Sequence, residues 1–450
     1  MRLKKLVVKN FKSLRTCEVE LGKFNVLVGP NASGKTNLIE AFKLLRKIYF
    51  ENDTNPFLEW WGYNNVVWGR KEELLIAVGM LFDVDRYDVY FETTFTGTGG
   101  SFRILREVLE VRGYLRIEKE GRTLRVFHDA EFIKRALPKL KTVKTPKGLT
   151  EAYDYFVKLD TEELLYLEAQ LPPDYAGETL LSWPWIALSW PWRALVTSDE
   201  TYETAYIITQ TKDGKPILPL ISPMVQDEWG PTPLALELGG LLRKTMLSTL
   251  VLRQVYVQNV KEPKFSRKET TLSEDASNLV PLLYNIWLRE GRLPDEIVNP
   301  LSMAFPHSRV FFQLTEDGRV MMKVFEGDLE LAPPGISDGF YKTLAILTAA
   351  YLKPPLLVID EIENSLHPET LELILDVLRE SESQVIITTH SPVVIDMTEP
   401  SDLILVDKVG GESRFMRVKD PEKIKKFLNE KGITLSEGWL YGSLINSDEQ

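Results

Sequence analysis

Residues 24–49 read FNVLVGPNASGKTNLIEAFKLLRKIY. A mostly apolar run ends at Gly29, a loop closes at Gly34-Lys35-Thr36, and apolar residues then recur at helical spacing. Strand, loop and helix stand in the order that the pattern G-x-x-x-x-G-K-[ST] requires. Gly29, Pro30, Asn31, Ala32, Ser33, Gly34, Lys35 and Thr36 fill every position of that pattern. The chemistry explains the residue types. A triphosphate must be wrapped by backbone N–H groups, and glycines at the ends of the loop let the chain curl tightly enough to do so. Lys35 then reaches the β- and γ-phosphates, Thr36 offers a hydroxyl to Mg²⁺, and a helix from about Lys35 to Tyr49 adds the partial positive charge of its N-terminus.

Such a loop needs a second carboxylate on the metal side, at the end of a neighbouring buried strand. Residues 356–369, LLVIDEIENSLHPE, supply it: Leu356 to Ile359 read as that strand and deliver Asp360 and Glu361. Asp360 is placed to hold the Mg²⁺ shell through water, and Glu361 to polarise the attacking water as general base. A second oily run, Gln384 to Thr389, delivers His390, an imidazole able to reach the γ-phosphate and hold water in line. His128 and His307 have no comparable setting and read as structural. His367 is expected to cap the following helix or to meet a partner subunit. Upstream, Pro333 to Gly339 (PPGISDG) precede FYKTLAILTAAYL, a helix for which Ser337 is a natural N-cap. Ser337 and Gly339 at the positive end of a helix make an anion site. With one phosphate site already at Lys35, this second one is expected to serve a nucleotide held by another subunit.

Taken in order, NFKS at 10–13, GPNASGKTN at 29–37, GISDG at 335–339, LLVIDEIENSLHP at 356–368 and TTHSP at 388–392 resemble an ABC-type ATPase head. More narrowly, they resemble the AAA-family ATPases related to RecF and to the OLD proteins. The likeness covers about 1–50 and 270–410. It implies a homodimer formed on ATP binding, in which ATP held at Gly29 to Asn37 of one subunit is covered by Ser337 to Gly339 of the other. It also implies that Lys12 or its neighbours lie near the nucleotide and that Glu363, Asn364 and Ser365 line the dimer interface. The glutamine that links nucleotide to lobe movement is to be sought among Gln170, Gln210, Gln226, Gln254 and Gln258, with Gln258 a weak first choice.

The rest of the chain bounds this reading. With 450 residues and 44% hydrophobic content there is room for two or three domains. No run of about 18 uncharged apolar residues appears, which points to a cytoplasmic protein without a membrane span. Cys17 is alone, so an internal disulfide and multi-cysteine metal sites are excluded. A net charge of −11 gives no long-range pull toward nucleic acid, so DNA binding would rest on local basic patches at Lys134–Lys147, Lys261–Lys268 or Lys423–Lys431. The last reads first as a solvated face, and the other two as loops basic by chance, since no aromatic alternates with their charges.

Residues 50–270 contain no sustained heptads, which sets the chain apart from the coiled-coil branches of the group. Leu74 to Phe127 alternate as several strands, an antiparallel sheet. A tryptophan- and proline-rich region with SWPWIALSWPWRAL at 182–195 follows and is expected to be helical. Sixty residues follow His390, too few for a nuclease domain of the toprim kind, so cleavage of nucleic acid would fall to a separate effector such as a nuclease.

The expected fold is thus α/β: a P-loop NTPase with an ABC-type two-lobed head, an antiparallel β subdomain and a helical insertion. The expected domains are 1–130, 131–265 and 266–450. The expected function is an ATP-hydrolysing dimeric switch acting with a partner in DNA repair, DNA processing or phage defence. The alternatives are the nucleotide-binding subunit of an ABC transporter and a regulatory protein that holds ATP without turnover.

Overall fold

The computed structural model describes residues 1–140 except Asp85, residues 248–440, and between them Glu162, 165–170, 179–180, 193–198, 204–210, 216–227, 230–233, Leu242 and Thr245. Most of the tryptophan–proline stretch, 182–192, and the basic residues Lys141 to Lys147 lie outside the described residues. The chain folds as two compact units: Met1–Glu18 with Ala41–Leu247, and Val19–Glu40 with Ser248–Gln450.

The second unit is built on a six-stranded sheet in the order β14 (Leu250–Leu252), β19 (Leu356–Ile359), β20 (Gln384–Thr389), β3 (Phe24–Val28), β21 (Leu403–Val409) and β22 (Glu412–Arg417). The first five run parallel and β22 closes the edge antiparallel. Strands β3, β19 and β20 are buried at every position, which is why they read as continuous apolar runs: a parallel sheet is covered on both faces. Helix α6 (Asp338–Tyr351) is buried from Phe340 through Ala350 and so lacks a polar stripe. It packs in one core with α4 (Leu279–Glu290), α5 (Asp295–Ala304) and α7 (Pro368–Glu380). A separate antiparallel sheet joins β15 (Lys264–Phe265), β16 (Ser308–Leu314), β17 (Arg319–Glu326) and β18 (Leu329–Leu331).

Parallel strands carry a functional consequence. The C-terminal ends of β3, β20, β19 and β14 reach the same edge of the sheet, the edge where open α/β sheets bind ligands. The P-loop, His390, Asp360 and the residues after Leu252 all leave from it.

In the first unit an eight-stranded sheet runs β2 (Leu14–Glu20), β1 (Arg2–Phe11), β4 (Ile76–Val84), β5 (Tyr87–Thr96), β6 (Arg103–Val111), β7 (Leu115–Glu120), β8 (Thr123–His128) and β9 (Tyr166–Gln170). From β1 to β9 every pairing is antiparallel, and β5 alternates buried with half-buried residues as a one-sided sheet should. Cys17 is a buried residue of β2, His128 is buried in β8, and His307 is exposed.

In the region 131–265, expected to be helical, the described residues include strands as well as helices. Helix α2 (Ala130–Leu140) and the short α3 (Val257–Lys261) are present, but β9 extends the large sheet across residue 131. Strands β10 (Arg193–Ser198), β11 (Thr204–Gln210), β12 (Pro216–Asp227) and β13 (Gly230–Pro233) form a second antiparallel sheet. The reason is local: Pro219 and Pro223 sit inside β12, where a helix would lose hydrogen bonds and clash. The isoleucine- and threonine-rich TAYIITQ of β11 suits an extended chain.

Candidate active site

The P-loop follows β3 and is held open by unusual backbone. Ala32 and Gly34 have φ of 62° and 110°, the left-handed side of conformational space. A Cβ on Gly29 would stand 2.1 Å from the Val406 carbonyl oxygen, so no side chain fits there. Ser33 is 1% exposed, and its hydroxyl has no hydrogen-bond partner among the described residues. A buried orphan hydroxyl in a tight loop at a helix N-terminus fits an anion with several acceptor oxygens. The Lys35 ammonium donates to the carbonyls of Gly29 at 2.7 Å and Pro30 at 3.1 Å, across the mouth of the loop. Burial pulls its pKa down, against the carboxylates of Asp360, Glu361 and Glu363. Pro30, Asn31 and Ala32 are exposed, and Asn37 lies half-buried in the first turn of α1 (Lys35–Tyr49).

Thr36 meets the strand that ends in Asp360. Its hydroxyl donates to Asp360 Oδ2 at 3.4 Å, which puts two hard oxygen ligands side by side as Mg²⁺ requires. Asp360 Oδ1 also accepts from the hydroxyl of Thr388, at 2.5 Å. Burial raises the Asp360 pKa, while that bond and the nearby Arg253 guanidinium oppose the rise. Arg253 is itself paired with Glu40 of α1 at 3.0 Å.

Glu361 is exposed and has φ of 48°, a conformation that costs a non-glycine residue about 1–2 kcal/mol. Three side chains hold it there. Its N–H donates to Thr388 Oγ1 at 2.8 Å, its carbonyl accepts from Lys342 Nζ at 2.8 Å, and its Oε2 accepts from Asn364 Nδ2 at 2.7 Å. His390 leaves β20 beside Glu363, whose Oε1 lies 3.1 Å from the imidazole Nδ1 and accepts from the His390 N–H at 2.9 Å. That contact occupies Nδ1 and leaves Nε2 as the nitrogen for an incoming phosphate.

Asp360, Glu361 and Asn364 line a cleft of about 450 Å³ together with Arg253, Gln254 and Tyr256. Gln254, two residues past β14, is the glutamine that lines this cleft, whereas Gln258 lies four residues further on in α3. Gln170, Gln210 and Gln226 are on strands of the first unit. The contacts of Thr388 and Lys342 with Glu361, and of Glu363 with His390, are the ones that sequence reasoning did not foresee. The only signals for them were a doubled threonine before His390 and a lysine inside an apolar helix.

Ser337 caps α6 as expected, accepting from the Phe340 N–H at 3.2 Å. Gly339 has a further reason to be glycine: a Cβ there would stand 2.7 Å from the Ser365 carbonyl oxygen. Asn364 and Ser365 are exposed, whereas the Glu363 side chain is turned inward to His390. His367 occupies the N-cap position of α7 but makes no side-chain cap; its ring lies 4.0 Å from Glu369. Lys12, in the first unit, has φ of 51° and an ammonium 5.3 Å from the centre of the Trp60 ring. In the described parts of the basic patches, Lys134 pairs with Glu131, Lys261 with Asp338, Lys425 with Glu399 and Lys426 with Glu430.

Residues 1–87 match the family described as "AAA ATPase domain", and residues 238–396 match the one described as "AAA domain, putative AbiEii toxin, Type IV TA system". The first span contains Lys35 and Thr36, the second Asp360, Glu361 and His390, so both matches converge on this one sheet edge. Both spans match AAA domains, and the chain is an ATPase. This ATPase is also similar to the DNA replication and repair proteins RecF of Vibrio campbellii and Aliivibrio salmonicida. Each is 44% identical over 46 residues, 10% of this chain and 13% of theirs. The match thus spans about an eighth of the length of these curated relatives. Among solved structures, an Smc head bound to the C-winged helix domain of ScpA has a TM-score of 0.47 at 14% identity, over 92% of this chain and 98% of that one. The SMC head domain from Thermotoga maritima has a TM-score of 0.40 at 15% identity, over 93% and 100%. Among the described residues no helix is long and apolar enough to cross a membrane.

Proposed function

We propose that this ATPase is a homodimeric switch in which ATP bound at Gly29 to Asn37 of one subunit is completed by Ser337 and Gly339 of the other. The observation that carries the reading is the convergence of Lys35, Thr36, Asp360, Glu361 and His390 at the C-terminal edge of one parallel sheet. Lys35 binds the β- and γ-phosphates. Thr36 and Asp360 would hold Mg²⁺, which supplies charge neutralisation on the triphosphate. Glu361 accepts the proton of the attacking water, with Asn364 holding its second carboxylate oxygen in place, and His390, steadied by Glu363, faces the γ-phosphate through Nε2. Ser337 and Gly339 open a buried helix, so their N-terminal dipole is available to an anion outside their own P-loop.

The switch acts, in this reading, on DNA or on a separate effector such as a nuclease, in DNA processing or phage defence. The RecF likeness and the family described as a toxin of a toxin–antitoxin system support that direction.

Ser337→Arg tests the shared site. ATP binding is expected to persist while turnover falls at least tenfold, and the parental specific activity should drop as the protein is diluted through the dimerisation range. Specific activity that stays constant down to nanomolar protein, with Ser337→Arg fully active, would reject the shared site.

A further inference from the structure

The lysine of α6 stands out. Lys342 is 4% exposed, yet no carboxylate pairs with it directly: its ammonium donates to the backbone carbonyl of Glu361 at 2.8 Å. Its neighbours Tyr341, Thr343, Leu344 and Ala345 are buried as well, so an apolar residue would fill the same place without the cost of desolvating a charge. The carboxylates of Glu363, Glu361 and Asp360 face it and keep the charged form in place, while burial brings its pKa down to about 8.

The residue it holds is the strained one. Glu361 has its left-handed backbone fixed at both ends by side chains from two different elements, Thr388 of β20 on the N–H and Lys342 of α6 on the carbonyl. Thr388 is fully buried in the sheet and anchors Asp360 as well. Lys342 belongs instead to the helix that begins at Ser337–Gly339, where Gly339 packs against the Ser365 carbonyl of the same loop. The loop carrying Glu361 is thus tied to α6 at two points, four residues apart in the loop, and a displacement of α6 must move it.

We propose that Lys342 is a positioning residue for the general base, transmitting the position of α6 to Glu361 through the Glu361 carbonyl. This rests on the reading of Glu361 as the base. A partner subunit's nucleotide that engages the start of α6 would then set the carboxylate of Glu361 in its working place, and loss of that contact would let it relax.

The test uses the full chain and compares Lys342→Met, which keeps length and loses the donor, with Lys342→Arg, which keeps charge and donor. Turnover is measured against ATP concentration, and affinity for a fluorescent ATP analogue separately. Lys342→Met should lower kcat at least tenfold with analogue affinity within twofold of the parent, and Lys342→Arg should recover most of kcat. In a Glu361→Asp background, Lys342→Met should lower kcat less than twofold further, because the carboxylate is already misplaced. A kcat within twofold of the parent in Lys342→Met overturns the proposal, as does equal loss in both variants together with loss of analogue binding. Should Lys342→Met fail to fold, Lys342→Gln carries the same comparison under the same criteria. An inactive Glu361→Gln beside a fully active Lys342→Met removes this inference alone, whereas an active Glu361→Gln removes the base assignment beneath it.

Discussion

The two large sheets handle charge in opposite ways. In the antiparallel sheet of the first unit, charges sit within the strands, and those on the half-exposed face are matched across neighbours: Arg106 lies between Glu92 at 3.4 Å and Glu118 at 3.1 Å, and Lys4 meets Asp88 at 2.7 Å. In the parallel sheet of the second unit, β3, β19 and β20 carry none within the strand. The charges wait until the strands end, and Asp360, Glu361 and His390 then appear within two residues of a last buried position. Charges in the first pattern help fix register and keep a surface wet. Charges in the second stand past the ends of the strands, where they fix no register, and we propose that their use is chemical.

The sharpest way to break that contrast is to remove a charge without changing shape at the parallel edge. Glu361→Gln is expected to lower turnover on the order of 10³-fold, the range of a lost general base, while leaving ATP bound and dimers accumulated on a sizing column. Phosphate release at the parental rate would mean that Glu361 is not the base. Next comes Lys35→Ala, whose loss of a charge-assisted contact to phosphate should weaken ATP retention about 100-fold, as read by equilibrium dialysis. Normal affinity in that variant would remove the P-loop lysine from the site.

These residues were legible in the sequence because their geometry is local. Gly29 through Thr36 fix a loop by themselves, and Leu356–Ile359 and Gln384–Thr389 announce buried strands by composition alone. What the sequence concealed depends on long-range pairing. Glu363 and His390 are 27 positions apart, and only the adjacency of β19 and β20 brings them together. Lys342 is hidden inside an apolar helix, where a single polar residue reads as the solvent side until every face proves buried. That Gln254 and not Gln258 lines the cleft follows from a three-residue strand, β14, too short to show a period. In the region 131–265, expected to be helical, the prolines at 219 and 223 were the guide to the strand that holds them.

Lys342 sits between the two patterns, a buried charge carried by a helix and not by a strand, and its effect on stability is correspondingly intermediate. Its pKa is lowered from 10.5 to about 8, so between those values the unfolded chain keeps a proton there that the folded protein has released. Stability from this residue therefore grows as pH rises through 8 and is complete above 10.5. The full difference amounts to about 3 kcal/mol, at 1.36 kcal/mol for each pH unit. Urea unfolding of the parent and of Lys342→Met at pH 7.5 and pH 10 isolates it: the advantage of the methionine variant should shrink at the higher pH. A gap that does not change with pH would mean that the folded protein keeps this lysine as basic as the unfolded chain does.

The smallest effect should come from the antiparallel face. Arg106 is about one-third exposed and touches two carboxylates, yet it gains little from either, because water screens the pair and a long side chain must be held still to make it. Arg106→Ala should cost less than about 1 kcal/mol in urea unfolding, and less again at high salt, with ATP turnover unchanged. The contrast with Glu361 is then at its widest, since two charged residues, each hydrogen-bonded to neighbouring side chains, would differ by three orders of magnitude in what their removal does to activity. If Arg106→Ala instead lowered kcat tenfold while the protein stayed folded, the face of the first sheet would be part of the machinery, and the division between charges that fix register and charges that carry chemistry would fail at that residue.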